Sequence, residues 1–317
     1  MKNMEMIELN YPIDRNKIPN DEIVLALGFF DGVHVGHQQV INTAKKIADK
    51  NSQKLAVMTF NQSPVTIFGD QSEETFRYLS TIERKSELFE QLGVDYMYVA
   101  MFSDKFNQLL PQEFVDQYIV RLNAKTVVAG FDYTYGKKDI ANMTRLHDYA
   151  KSRFNVVEVP EIKFNEKKLG STSIKKALES KDINEANEQL GYDYENSGVV
   201  IHGLQRGRTL GFPTANVEVD QKEFIPGIGI YITEIKIDGK WYPSMTSVGY
   251  NITFDDIKDL TIESNILNFN QDVYGKNVKI KWLKYLRDEV KFDDVDGLIK
   301  QLNQDKINTE KYFKFYK

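Results

Sequence analysis

The sequence predicts two architectures in one chain. The first half reads as a doubly wound parallel α/β sheet, and the second as an antiparallel β-barrel with a C-terminal helix. Three observations carry this. Up to about residue 190, short apolar runs alternate with helical patterns. Beyond about residue 195, apolar residues alternate singly and glycines recur at 198, 203, 207, 211, 227, 229, 239, 249 and 275. At 317 residues the chain has the length of two domains, and GYDYENSG at 191–198 reads as the junction. The expected domains are 1–190 and 191–317.

In the first half, strands are predicted over Ile23–Leu27, Leu55–Phe60, Tyr96–Met101, Thr126–Ala129 and Val156–Val159. Each run is apolar or β-rich, as strands covered on both faces are. Between them, Val40, Ile41, Ala44, Ile47 and Ala48 share one helical face, and so do Phe114, Val115, Tyr118, Ile119 and Leu122. In the second half, Ile235 and Ile237 lead into Asp238-Gly239 and Trp241 follows, which is the chemistry of a tight hairpin. Val278, Ile280 and Trp282 alternate with Lys279 and Lys281, the period of a half-exposed strand. Val295, Leu298, Ile299 and Leu302 predict the closing helix. No internal repeat or low-complexity tract interrupts the pattern.

Composition narrows the function classes. Hydrophobic content of 41% and charged content of 27% are ordinary for a globular protein. A net charge of −5 argues against a general nucleic-acid binder. The chain has no cysteine, which excludes disulfides, thiolate zinc sites and a cysteine nucleophile and fits a reducing compartment. MKNMEMIELNYPIDR lacks an apolar core of the secretory type, and no run of about 18 apolar residues occurs. The expectation is a cytoplasmic protein with no membrane partner and no particular oligomeric state.

Two stretches carry chemistry. LGFFDGVHVGH, residues 27–37, lies between a predicted strand and a predicted helix. Ligands of open parallel sheets bind beyond the carboxyl ends of the strands. Glycine lets backbone approach a ligand closely, and a helix N-terminus favours phosphate. His34 and His37 add hydrogen-bond donors, and charge when protonated, suited to the negative charge that builds on an α-phosphate under attack. A tight turn with two incidental histidines is the bland alternative; the strand–turn–helix context favours a motif. Further on, Ser171, Thr172 and Ser173 are good N-cap residues, and Lys175 and Lys176 are expected in the first helical turn that follows. Cations there oppose the helix dipole, so an anionic ligand and plain solvation are both open explanations.

GRTLGFPTAN, residues 207–216, is the second stretch. Pro213 fixes its own φ and extends Phe212. Gly207 and Gly211 permit close approach. Thr214 and Asn216, two residues apart on an extended segment, point the same way and offer neutral oxygens of the kind that suits Mg²⁺ shared with a nucleotide. An ordinary proline turn before a strand would look similar.

GFFDGVHVGH resembles the N-terminal module of bacterial bifunctional riboflavin kinase/FAD synthetases, whose HxGH signature is that of the nucleotidyltransferase superfamily. GFDYTYGKK (130–138) and STSIKKAL (171–178) resemble that module's later nucleotide-site and phosphate-loop segments. GRTLGFPTAN, ESNILNF (263–269), YGK (274–276) and LRDEVKF (286–292) resemble the riboflavin kinase half. The resemblance runs from about residue 8 to 315, with both signatures in order. It implies a nucleotidyltransferase-type sheet that adenylylates FMN with ATP and a barrel that phosphorylates riboflavin with ATP and Mg²⁺. It implies that His34 and His37 stabilise the transferring phosphoryl group. Gly28, Phe30, Asp31, Gly36, Asp132, Ser171, Thr172 and Lys175 then shape the nucleotide site. In the kinase half it places Gly207, Arg208, Gly211 and Pro213 near the nucleotide, Thr214 and Asn216 at the metal, Arg287 by the substrate, and Glu263 as base.

The chain departs from the family pattern at several positions. TFNQSP (59–64) replaces TFDPHP, removing an acid and a histidine. Lys175 stands for an arginine, and lysine lacks the forked contact to phosphate. Ala141 stands for a glycine, Ile252 for a proline, and Asn265 and Asn268 for a histidine and an aspartate. These changes leave two alternatives open: a divergent paralogue with one activity, the weakened phosphate loop favouring a kinase-only protein, and a flavin- or nucleotide-binding regulatory protein without turnover.

Overall fold

The computed structural model describes residues 4–164, 166–203, 207, 210–252, 258–292 and 294–315. They form two compact units, Met1–Ser171 and Thr172–Lys317. This geometric division falls before the expected boundary at 190/191.

In the first unit six strands form one parallel sheet: β1 (Glu5–Leu9), β2 (Ile23–Leu27), β3 (Lys54–Phe60), β4 (Tyr96–Ala100), β5 (Ala124–Gly130) and β6 (Asn155–Val159). Their order is β1-β4-β3-β2-β5-β6. Helices α1 (Val35–Asn51), α2 (Pro64–Phe68), α3 (Ile82–Gln91), α4 (Asp104–Asn107), α5 (Pro111–Val115) and α6 (Met143–Ala150) lie between strands, and β7 (Lys163–Phe164) and β8 (Lys167–Lys168) form a small hairpin. All five residues of β2 are buried, which is why it reads as an unbroken apolar run. Of the predicted α1 face, Val40, Ile41, Ala44 and Ala48 are buried.

Two features escaped prediction. β1 is an edge strand in which only Ile7 and Leu9 are buried, so it has no continuous apolar run. The helix expected over Phe114–Leu122 is instead α5 followed by a wider turn over Asp116–Val120, closed by the Arg121 amide donating to the Asp116 carbonyl at 3.1 Å. Its five apolar residues are buried all the same, each contributing about 1.5–3 kcal/mol.

The strand order places the site. From β2 the chain steps to β3 and β4 on one side, and β5 and β6 occupy the other. The direction reverses between β2 and β5, so the crevice beyond their carboxyl ends is the switch point at which such sheets bind ligands.

The second unit holds most of α7 (Ser171–Glu179), α8 (Ile183–Leu190), and a closed barrel. The barrel strands are β9 (Glu195–Ile201), β10 (Ala215–Val219), β11 (Gly229–Ile237), β12 (Lys240–Ile252), β13 (Lys258–Ile266) and β14 (Asn277–Arg287). They pair antiparallel in the order β10-β13-β12-β11-β14-β9. The predicted hairpin is the β11–β12 turn, where Asp238 (φ 49°) and Gly239 (φ 82°) both take positive φ between the paired Ile237 and Lys240, as the two-residue turn demands. The C-terminal helix spans Val295–Phe315.

Period-2 alternation separates the barrel's two faces. Tyr231, Thr233, Ser244, Thr246, Ser264 and Trp282 are fully buried. The hydroxyls among them satisfy one another: Thr233 bonds Ser244 and Thr246 at 2.7 Å, and Thr246 bonds Ser264 at 2.6 Å. Buried Asn196 accepts from the Trp282 indole at 2.8 Å and donates to the Glu223 carboxylate at 2.6 Å. Both tryptophans of the chain, Trp241 and Trp282, lie in this unit, so tryptophan fluorescence follows the barrel alone. Asn196→Ala leaves the buried indole N–H without its acceptor. We expect the barrel's unfolding free energy to drop by about 1–3 kcal/mol, read as a lower urea midpoint at unchanged slope; an unmoved midpoint contradicts the assignment.

Candidate active sites

The first site begins where β2 ends. Phe30 (φ 57°), Gly32 (φ 79°) and Val33 (φ 37°) turn the chain through left-handed conformations before α1 starts. Such φ values suit glycine and cost energy in Phe and in β-branched Val. The surroundings hold the turn. The Asp31 carboxylate accepts the Leu79 amide at 2.8 Å and the Ser80 amide at 3.2 Å. The Gly32 amide donates to Ser80 Oγ at 2.8 Å, and Ser171 Oγ donates to the Asp31 carbonyl at 2.9 Å.

The turn delivers His34 as N-cap of α1, its Nδ1 accepting the His37 amide at 3.3 Å. That acceptor role puts the proton of the neutral ring on Nε2. The two imidazoles stack with centroids 3.6 Å apart, and Phe30 packs edge-on against His37 at 5.2 Å. Burial lowers the His34 pKa to about 4, with Asp132 pulling the other way. His37 is also held well below its ordinary value, by burial first and then by His34 and Lys85. Both rings are therefore neutral at neutral pH before any anion arrives, and their contribution at that stage is N–H donation rather than charge.

These residues line a cavity of about 500 Å³ at the switch point. Gly28, Phe30, His34, Gly36, His37, Asp132 and Ser171 all border it. Asp132 forms a 3.0 Å ion pair with Lys168 of β8, also on the lining. Asp31 is not on the wall; its carboxylate is turned to residues 79 and 80. Thr172 and Lys175 belong to the second unit and do not line the cavity. Because α7 starts at Ser171, Lys175 falls beyond the first turn and Lys176 lies in the last. The expected opposition to the helix dipole is therefore absent, and Lys176 complements it. The Ser171 hydroxyl goes to Asp31 and that of Ser173 donates to Gln189 at 2.6 Å. In TFNQSP, Asn61 Oδ1 accepts the Phe102 amide at 2.8 Å, a bond that a carboxylate could accept equally. Ser63 lines the cavity where a histidine is usual and caps α2 by accepting the Val65 amide at 3.3 Å.

The second site lies on the outer face of the barrel. Ala215 and Val217 of β10 are buried, so Thr214 and Asn216 face outward. Thr214 Oγ1 donates to Glu263 Oε2 at 3.1 Å, and Asn216 is the cross-strand partner of Glu263. Gly207 approaches so closely that a Cβ would sit 2.3 Å from the Phe212 carbonyl oxygen. Thr214, Glu263, Gly207, Arg287 and Asn265 line a cavity of about 390 Å³, together with Leu298 and Leu302 of the C-terminal helix. Asn216, Gly211 and Pro213 are not on its wall. Arg208, and the ITF segment after Ile252, lie outside the described residues.

The substituted residues have structural partners. Asn265 Nδ2 donates to the Pro213 carbonyl at 2.8 Å, tying β13 to the PTAN segment. Asn268 is an exposed turn residue with φ 55°, a conformation asparagine tolerates. Arg287 forks onto buried Asp305 of the C-terminal helix, with its shortest contact at 2.6 Å. Glu289 also lines the cavity; partial burial raises its carboxyl pKa, against the pull of Arg287 and with a push from Glu263.

The Thr214, Asn216 and Glu263 side chains are hard oxygen donors, and among the described residues no group of three or more His, Cys, Asp or Glu could enclose a metal. This donor set fits Mg²⁺ shared with nucleotide phosphates, not an all-protein cage.

Comparison with known proteins matches both units. The FAD synthetase family model covers residues 16–173 and the riboflavin kinase model covers 190–313. A bifunctional riboflavin kinase/FMN adenylyltransferase of Listeria monocytogenes is 44% identical over 98% of both chains. Its counterpart from Bacillus subtilis is 39% identical over 98% of both. A crystal structure described as a macrolide-efflux protein from Streptococcus pneumoniae superposes with a TM-score of 0.87 at 36% identity, covering 96% of this chain and 98% of that one. Among the described residues no helix is long and apolar enough to cross a membrane. With two family matches in order and near-complete coverage by such relatives, the chain belongs to the bifunctional riboflavin kinase/FMN adenylyltransferase family of transferases.

Proposed function

We propose that the barrel's outer cavity phosphorylates riboflavin to FMN and that the switch-point cavity adenylylates FMN to FAD, each using ATP. The observation that carries this reading is that each unit has its own cavity, built from one of the two signature segments. The functional domains are taken as 1–190 and 191–317, supported by the kinase match beginning at residue 190. The lack of cysteine fits a reducing compartment, and the cytoplasm is the location this reading assigns.

In the kinase site Glu263 accepts the proton of the riboflavin hydroxyl as that oxygen attacks the γ-phosphorus and the bond to ADP breaks. Thr214 fixes one oxygen of the Glu263 carboxylate by its hydroxyl, leaving the other for the substrate. The Thr214 and Asn216 oxygens would hold Mg²⁺, which neutralises phosphate charge when bound. Arg287, fixed by Asp305, borders the cavity and anchors the helix that lines it.

In the adenylylation site an FMN phosphate oxygen attacks the α-phosphorus of ATP, and the bond to the pyrophosphate oxygen breaks. The N–H of His34, the N–H of His37 and the α1 N-terminus offer donors to the charge that grows on the α-phosphate. Phe30, Gly28 and Gly36 shape the wall, and Asp132 with Lys168 sets its polar rim. Ser171 lines the cavity and, like Asp31, holds the turn.

The two sites separate by mutation. Glu263→Gln should lower riboflavin phosphorylation by about 10²–10⁴-fold with FMN adenylylation unchanged; His34→Ala should do the reverse. Equal losses in both assays, or none, contradict the assignment.

The titration of His34 is a second check. Its folded pKa of about 4 lies below the ordinary value, so the unfolded chain binds more protons between the two. The stability it confers is full above pH of about 6.5 and is lost as pH falls through about 4. NMR of the ligand-free protein should show His34 titrating near 4, and nucleoside triphosphate should move it upward. A ligand-free value near 6.5 contradicts the buried neutral pair.

A further inference from the structure

Lys85 of α3 is 1% exposed, a rare state for a lysine. Its ammonium donates to the Phe29 carbonyl at 2.7 Å and to Thr59 Oγ1 at 3.3 Å, and lies 3.8 Å from the Phe29 ring centroid. Thr59 Oγ1 itself donates to the same carbonyl at 2.7 Å. Phe29 is the residue immediately before the left-handed turn that delivers the two histidines. Residues 79 and 80, just ahead of α3, hold Asp31 and Gly32 of that turn. One short segment of chain therefore grips residues 29, 31 and 32. Lys85 is not on the cavity wall, so it reaches the reaction only through what it holds and through its field.

We propose that Lys85 is a positioning residue for adenylyl transfer: it locks the Phe29 carbonyl at the start of the turn and sends the field of a buried ammonium toward His37. The inference rests on the adenylylation reading of this site. A fixed cation in a dry surrounding attracts growing negative charge without reorganising at the moment of reaction. The same field disfavours protonation of His37, and Lys85 is among the groups that lower its pKa, after burial and His34. Charged groups around these rings include Asp31 in the turn, Asp132 after β5 with its partner Lys168, and Glu161 on the cavity lining, Asp132 acting on His34. Lys85 thus helps keep His37 neutral and holds the loop geometry in place.

The test is Lys85→Met in the full chain. Methionine keeps length and packing, and Thr59 still donates to the Phe29 carbonyl. Lys85→Gln removes the charge but keeps an N–H, and it replaces the methionine variant if that one does not fold. Stacked His34 and His37 give ring-current-shifted signals that report the folded turn. We expect His37 to titrate higher than in wild type, and kcat for FAD formation to fall on the order of 10²-fold with a smaller change in KM. Riboflavin phosphorylation in the other unit should stay at the wild-type rate. A folded variant with an unmoved His37 titration, or with wild-type kcat, overturns the proposal. A wild-type chain that makes no FAD from FMN would overturn the adenylylation reading instead, and the His37 titration would then decide the electrostatic part alone.

Discussion

Phe30, Gly32 and Val33 hold positive φ within one turn after the central strand, and the first site depends on that turn. Two non-glycine residues in left-handed conformations persist only where neighbours over-determine them. Here Asp31 takes two amides, Ser80 takes the Gly32 amide, and Ser171 holds the Asp31 carbonyl. The reward is positional. The chain reaches the N-terminus of α1 with His34 as its cap and His37 stacked beneath it, at the point where the sheet order reverses. Capping, stacking and burial then set the chemistry: Nδ1 of His34 is committed as an acceptor, its proton sits on Nε2, and both rings are neutral at neutral pH.

The barrel solves a different problem. A closed sheet has an inside and an outside, and residues of each strand alternate between them. Its inside is filled by Tyr231 and Trp282 and by hydroxyls that satisfy one another. Its outside carries Glu263 and Asn265 of β13, with Thr214 just ahead of the neighbouring β10. The Arg287–Asp305 fork joins the C-terminal helix to that face. A buried carboxylate needs such a partner, so the same contact that satisfies Asp305 also holds the helix that lines the cavity.

Much of this was legible in the sequence because the signals are periodic. β2 matches its apolar run residue for residue, and Asp238-Gly239 makes the expected turn. The edge strand β1 was missed because half of it faces away from the core. The structure gathers most of the residues named from the two signature segments on two cavity walls. Asp31, named from the first of these segments, instead turns away from the cavity, and Lys175 of the later phosphate-loop segment lies beyond the first turn of α7. The supporting residues were not seen at all. Lys85 shares the apolar face of α3 with Leu88 and Phe89, and Asp305 follows Leu298 and Leu302 at helical spacing. A charged residue on an apolar stripe was the signal that could have found both, since burial of a charge demands a purpose. The substitutions at Asn61 and Asn265 had no readable consequence in sequence; in the structure both amides keep a loop-holding bond.

The central claim is two separate transferase sites in one chain. It is tested most directly by incubating the purified wild-type protein with ATP and Mg²⁺, plus either riboflavin or FMN, and separating the flavins by chromatography. FMN from riboflavin and FAD from FMN are the expected products. Neither product, or only one of the two, would contradict the claim.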